Sequence, residues 1–147
     1  MNRSELTEGA GQTRDRTIFA LLQAAHTLEA KVGDALADVG LSMPKFAVLS
    51  ELVTEGKPLS LSELAGKLGC VKSNVTQLVD RMEADGFVRR VDDPADRRAV
   101  KAEITPEGAV KHVEGEQQVD KLHKAFGAAV ATEDREALGR MLAAFGA

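Results

Sequence analysis

Residues 59–86 read LSLSELAGKLGCVKSNVTQLVDRMEADG, two short amphipathic stretches around the tripeptide Gly69-Cys70-Val71. In the first, Ser60 and Glu63 have the S-x-x-E spacing of a capping box, and Leu61, Leu64, Ala65 and Leu68 recur at helical spacing. Gly69 makes the turn. In the second, Val75, Leu78, Val79 and Met82 fall within an arc of about 100°, with Ser73, Thr76, Gln77 and Asp80 opposite and Gly86 as the stop. A short helix, a tight turn and a second helix with one buried face are the parts of a helix-turn-helix reader.

Toward the C-terminus, FVRRVDDPADRRAVKAEIT (87–105) holds two β-branched runs around a polar loop. Val100, Ala102 and Ile104 alternate with Ala99, Lys101 and Glu103, which predicts a one-sided strand and a hairpin with a long loop. Toward the N-terminus, Ser42 and Pro44 open a helix whose apolar face is Phe46, Leu49, Leu52 and Val53, and Gly56 and Pro58 end it. Farther out, Ile18, Leu21, Leu22, Ala25, Leu28, Val32, Leu36 and Val39 mark a long amphipathic helix stopped by Gly40. Thr105 and Pro106 open another long helix with a poorly apolar middle, and Thr132 caps a last short one. The expected fold is mainly α with a small β-hairpin wing. It comprises a winged helix-turn-helix at 41–105, dimerisation helices at 16–40 and 106–147, and a flexible arm at 1–15. The outer helices have apolar stripes and no domain of their own to bury them in, so packing against a second copy is the economical solution.

The chain has 147 residues, enough for one compact protomer. No apolar run approaches the roughly 20 residues that span a bilayer, and the N-terminus lacks an apolar signal core, so a cytoplasmic location away from membranes is expected. A single cysteine fits a reducing compartment. With no Trp, no Tyr and five Phe, aromatic stacking platforms for single strands or RNA are hard to build. The net charge is −4, which by itself argues against nucleic acid. Charge is unevenly divided, however. Residues 72–101 carry seven cations against six carboxylates, and the remainder carries twelve against seventeen.

In the second helix of the pair, Lys72, Ser73, Asn74, Thr76 and Gln77 occupy the first two turns. Ser and Thr bond phosphates or bases, Asn and Gln pair with adenine through both amide groups, and Lys neutralises phosphate. A plain solvated helix face also explains these residues, and Asp80 on the same face repels phosphate. The hairpin adds Arg97 and Arg98, cations suited to a narrow minor groove. Asp96 lies close enough to hold one guanidinium in a two-toothed pair. A solvated loop with weak ion pairs is the alternative.

The segment from Leu59 to Gly108 resembles the core of the MarR family of transcription regulators. The D-x-R wing motif matches Asp96-Arg97-Arg98, and an IT-x-x-G step follows at Ile104, Thr105 and Gly108. The resemblance implies a homodimer held by the terminal helices, recognition helices in major grooves of a pseudo-palindromic double-stranded site, and wings in flanking minor grooves. It further implies repression relieved by a small molecule or oxidant, and an effector cleft lined by the first and second helices and the start of the fifth. Two positions depart from the pattern. Val71 stands where relatives often carry a Ser or Thr cap, and Gln77 where many have Arg. The function expected is therefore a dimeric, sequence-specific DNA-binding repressor. The alternative is a winged-helix protein-interaction module without DNA binding.

Cys70 lies in the turn and reads best as a small buried hydrophobe. His26, His112 and His123 lack the i,i+4 spacing of a helical metal pair and read as surface or interface residues. There is no nucleophile elbow, phosphate-binding glycine loop or Cys/His cluster, so no enzyme, metal or cofactor is expected.

Overall fold

The structure, a computed structural model, describes residues 16–146; the expected arm at 1–15 lies outside them, as does the side chain of Arg97. In chain order the elements are α1 (Thr17–Ala37), α2 (Met43–Glu55), β1 (Leu59–Ser60), α3 (Leu61–Leu68), α4 (Lys72–Ala84), β2 (Val88–Asp93), β3 (Asp96–Ile104), α5 (Pro106–Ala129) and α6 (Thr132–Ala144). The chain divides into two compact units, one ending at Lys31 and the other Val32–Ala147. Every described residue of the first unit is exposed, including Ile18, Phe19, Leu22 and Leu28 on α1. No described helix is long and apolar enough to cross a membrane.

The core of the second unit is built from one face of each central element. α2 gives Val48, Leu49 and Leu52, α3 gives Leu64 and Ala65, α4 gives Val75, Val79 and Met82, and the sheet gives Leu59, Val88 and Ala102. Each fully buried larger side chain is worth about 1.5–3 kcal/mol. The expected face of α2 is corrected at one position. Val53 is exposed and Val48 takes its place: the two flank the line through Leu49 and Leu52 at equal angles, and α2 turns its Val48 side to the core.

Local hydrogen-bond chemistry sets the element ends. Ser42 caps α2 by accepting from the Lys45 N–H, and Ser60 and Glu63 form the reciprocal capping box of α3. Thr105 caps α5: its hydroxyl accepts from the Gly108 N–H at 3.0 Å and donates to the Gly86 carbonyl at 2.6 Å. Thr132 does not cap α6. It is the first helical residue, the cap position is Ala131, and no side chain accepts there.

α4 also starts without a side-chain cap, at Val71 in extended conformation (φ −73°, ψ 144°) and 63% exposed. That backbone suits a serine, and the apolar side chain it would replace contributes little burial. Val71→Ser is expected to stabilise the protein by about 1 kcal/mol, seen as a higher denaturant midpoint at unchanged slope; an equal or lower midpoint would contradict this.

The wing differs from the expected long-looped hairpin. β2 and β3 continue to Asp93 and Asp96, which face each other across a two-residue turn, Pro94-Ala95. Two aspartates hold the turn and the register shift beside it, between Asp92 opposite Val100 and Asp93 opposite Asp96. Asp93 Oδ1 accepts from the Ala95 N–H at 3.0 Å, and Asp96 Oδ1 accepts from the Arg98 N–H at 2.9 Å. The sheet also has a third strand. β1 pairs antiparallel with β3, Leu59 opposite Ala102 and Ser60 opposite Lys101, which ties the start of α3 to the wing.

Candidate nucleic-acid interface

The turn between α3 and α4 aims the second helix. Gly69 adopts a left-handed φ of 62° and closes α3 in a Schellman arrangement, with Cys70 N–H donating to Ala65 O (3.0 Å) and Gly69 N–H to Gly66 O (3.4 Å). Cys70 spends its N–H in that closure, and its side chain is left outside. It is exposed, not the buried hydrophobe expected, with Sγ 3.4 Å from the Leu68 carbonyl.

α4 buries Val75, Val79 and Met82, so its outward face centres on Ser73, Gln77, Asp80 and Arg81. Lys72, Ser73, Asn74 and Gln77 are exposed. Thr76 stands apart. It is half-buried at the flank, and its hydroxyl donates to the Lys72 carbonyl at 2.9 Å, which leaves its oxygen only an acceptor. Arg81, absent from the residues the sequence singles out, stands exposed a turn beyond Gln77. Its i,i+4 spacing from Gln77 on the polar face is the signal that marks it.

Ion pairing sorts the cations of residues 72–101 into two sets. Arg89 pairs with Glu103 directly opposite on β3. Arg90 turns to the other side of β2 and grips α4 through Asp80 and Glu83, with a 2.8 Å contact to Glu83. Its backbone N–H also donates to Glu83 at 3.0 Å. The Asp80 carboxylate holds the Arg90 guanidinium above its ordinary pKa, chiefly by hydrogen bonding. Lys101 meets Asp93 at 3.1 Å. The Ala95 N–H, and after it Lys101, holds the Asp93 carboxyl below its usual range. Among the described side chains, that leaves Lys72, Arg81 and Arg98 without an acidic partner. Among the same described side chains, Asp92 and Asp96 are the carboxylates of the segment without a cationic partner.

Asp96 does not form the expected two-toothed pair with Arg98, and a pair with Arg97 falls outside the described side chains. Its described bond is to the Arg98 backbone N–H, and no ion pair joins it to the Arg98 guanidinium. A carboxylate so close in sequence reaches the i+2 amide more readily than the end of its long side chain. The side chain of Arg97, the other wing arginine, lies outside the described residues.

A cleft of about 590 Å³ opens beside α4. Met43, Pro44, Ala47, Leu68, Val75 and Leu78 give it an apolar floor, and Asn74, Gln77, Arg81 and Lys45 its polar edge. Lys45 is held by Asp85 at 2.6 Å. On a neighbouring face of α2, His112 is buried rather than on the surface. It stacks on Phe46 (ring centroids 5.4 Å apart, planes at 12°), with Nε2 3.2 Å from Ser50 Oγ.

Comparison with known proteins places this arrangement. The MarR family model matches residues 41–100. The uncharacterized HTH-type transcriptional regulator YdcH of Bacillus subtilis (strain 168) is 31% identical over 114 residues, covering 76% of this chain and 78% of that protein. Other curated relatives match over about half of their own length. The crystal structure of AbsC, a MarR family transcriptional regulator from Streptomyces coelicolor, superposes with a TM-score of 0.80 at 25% identity, covering 92% of this chain and 93% of AbsC. That of CouR from Rhodococcus jostii RHA1 bound to p-coumaroyl-CoA gives 0.73 at 25% identity, covering 87% and 90%. The chain belongs to the MarR family of helix-turn-helix transcriptional regulators.

Proposed function

We propose that the protein is a homodimeric, sequence-specific DNA-binding repressor released by a small molecule. The observation that carries this reading is the division of cations. Arg89, Arg90 and Lys101 are consumed within the wing and its seat on α4, whereas Lys72 and Arg81 are left to solvent on the helix that carries Asn74 and Gln77, and Arg98 is left to solvent on the wing. In this reading α4 enters a major groove, Gln77 and Asn74 meet base edges, Ser73 and Thr76 meet phosphates or bases, and Lys72 and Arg81 neutralise phosphates. Arg97 and Arg98 reach the flanking minor groove. The exposed apolar residues of α1 (Ile18, Phe19, Leu22) and, separately, of α6 (Met141, Leu142) with its C-cap Phe145 support a second copy as their cover.

The cleft beside α4 supports the effector part. Its volume is within the range of small-molecule sites, and a molecule filling it competes for Asn74, Gln77 and Arg81. It is formed by α2, α3 and α4 with the turns before α2 and α4, without residues of α1 or α5. CouR, with its bound p-coumaroyl-CoA, is a precedent in a structural neighbour.

The test is capture of genomic fragments by the purified protein, followed by titration of the recovered site against salt. Phosphate neutralisation by a dimer predicts a log–log slope on the order of −5 to −7. Binding insensitive to salt and uncompeted by DNA would instead favour a protein-interaction module. Within the recovered site, Gln77→Ala is expected to relax base preference at one position per half-site, costing about 1–3 kcal/mol against the preferred base. A uniform loss across sequences would assign Gln77 a positioning contact.

A further inference from the structure

Asp80 poses a physical problem for the reading above. It is exposed on the outward face of α4, one turn beyond Gln77, where a bare carboxylate would oppose the phosphate backbone. Arg90 answers it from a different element. Its guanidinium spans Asp80 and Glu83, with Asp80 the more exposed of the two carboxylates and Arg90 itself about two-thirds buried. Glu83 points back toward the wing seat, where it also takes the Arg90 N–H. The planar fork is what lets one side chain serve both acids.

We propose that Arg90 is a positioning residue for DNA binding: it cancels the Asp80 charge at the edge of the reading face and holds α4 and the wing as one surface. The proposal rests on the DNA-binding reading. It goes beyond it in assigning a role in affinity to an arginine that touches no nucleic acid. Like charges brought together at an interface are costly, and the cost is screened by salt. A residue that serves only as a structural staple gains nothing when the Asp80 charge is removed, so the rescue separates the two roles.

The experiment uses the full-length protein and a duplex carrying the recovered genomic fragment, with a mixed-sequence duplex as control. Arg90→Gln is expected to weaken binding by roughly tenfold to a hundredfold at low salt, with the defect narrowing as salt rises. Adding Asp80→Asn in the same chain is expected to restore affinity to within about threefold, since the repulsive charge is gone. Asp80→Asn alone binds as well as wild type or better. Thermal midpoints of all variants report folding separately. A defect of equal size at every salt concentration, or one that Asp80→Asn does not reverse, overturns the proposal and leaves Arg90 a structural staple. A wild-type protein that retains no DNA fragment overturns the DNA-binding reading, and this proposal with it.

Discussion

In an Arg97→Ala, Arg98→Ala variant, affinity for the recovered operator is expected to fall by about two orders of magnitude at moderate salt, with the dimer intact. A two-fold assembly loses four cations at once, and the log–log salt slope is expected to flatten by roughly two to four. Mobility-shift or anisotropy titrations read the affinity, and sedimentation reads the dimer. The specificity of the prediction comes from the neighbouring arginines. Arg89 is spent on Glu103 and Arg90 on α4, so Arg89→Ala, equally basic on paper, is expected to change affinity by less than about threefold. Unchanged binding in the double variant, or an equal loss from Arg89→Ala, would remove the wing from the interface.

What the sequence made legible was chemistry confined to a few neighbouring residues. The Ser42, Ser60/Glu63 and Thr105/Pro106 helix starts are readable because each cap bonds an amide three positions away. The inward stripe of α4 is readable because Val75, Val79 and Met82 repeat at the helix period. β1 was hidden for the opposite reason. Two residues have no periodicity, and their partners, Ala102 and Lys101, lie some forty positions away. Which arginines are free was equally hidden. It depends on the register that puts Arg89 opposite Glu103 and turns Arg90 toward α4. In the candidate site, the exposed α4 residues were named from the sequence, whereas Arg81 and the Arg90 clamp emerged only with the fold. α5 shows a subtler limit. Its buried residues are Gly108, His112 and Gly115, spaced i, i+4, i+7 as a core stripe should be, but none is aliphatic. A scale that looks for apolar side chains sees a poorly apolar helix, although its backbone is the part packed inward.

The same stripe supports the second large effect, on stability. Gly108→Ala is expected to cost about 3 kcal/mol or more, whereas Gly115→Ala, on the same face of the same helix, costs about 1 kcal/mol or less. Both replacements gain about 1 kcal/mol of helix propensity, so the difference comes from what the new methyl meets. At Gly108 it would lie 2.0 Å from the Phe87 carbonyl oxygen, 2.9 Å from its carbon and 3.0 Å from Ile104 Cγ1. The first two are backbone atoms of a turn that Thr105 ties down, through its hydroxyl to Gly86 O and its N–H to Phe87 O at 3.1 Å. That turn leads straight into β2, so relief of the clash moves the base of the wing and lowers operator affinity as well. At Gly115 the methyl meets side chains, the Phe46 ring at 2.7 Å and Leu41 Cδ1 at 3.0 Å. The ring must give by roughly 0.7 Å to reach ordinary contact, which side chains can do by tilting where a tied backbone cannot, at the expense of the Phe46–His112 stack. Denaturant titration of the two variants separates the cases. Equal stabilities, or a Gly115→Ala protein the weaker of the two, would show that α5 is not seated on the Phe87 carbonyl as described.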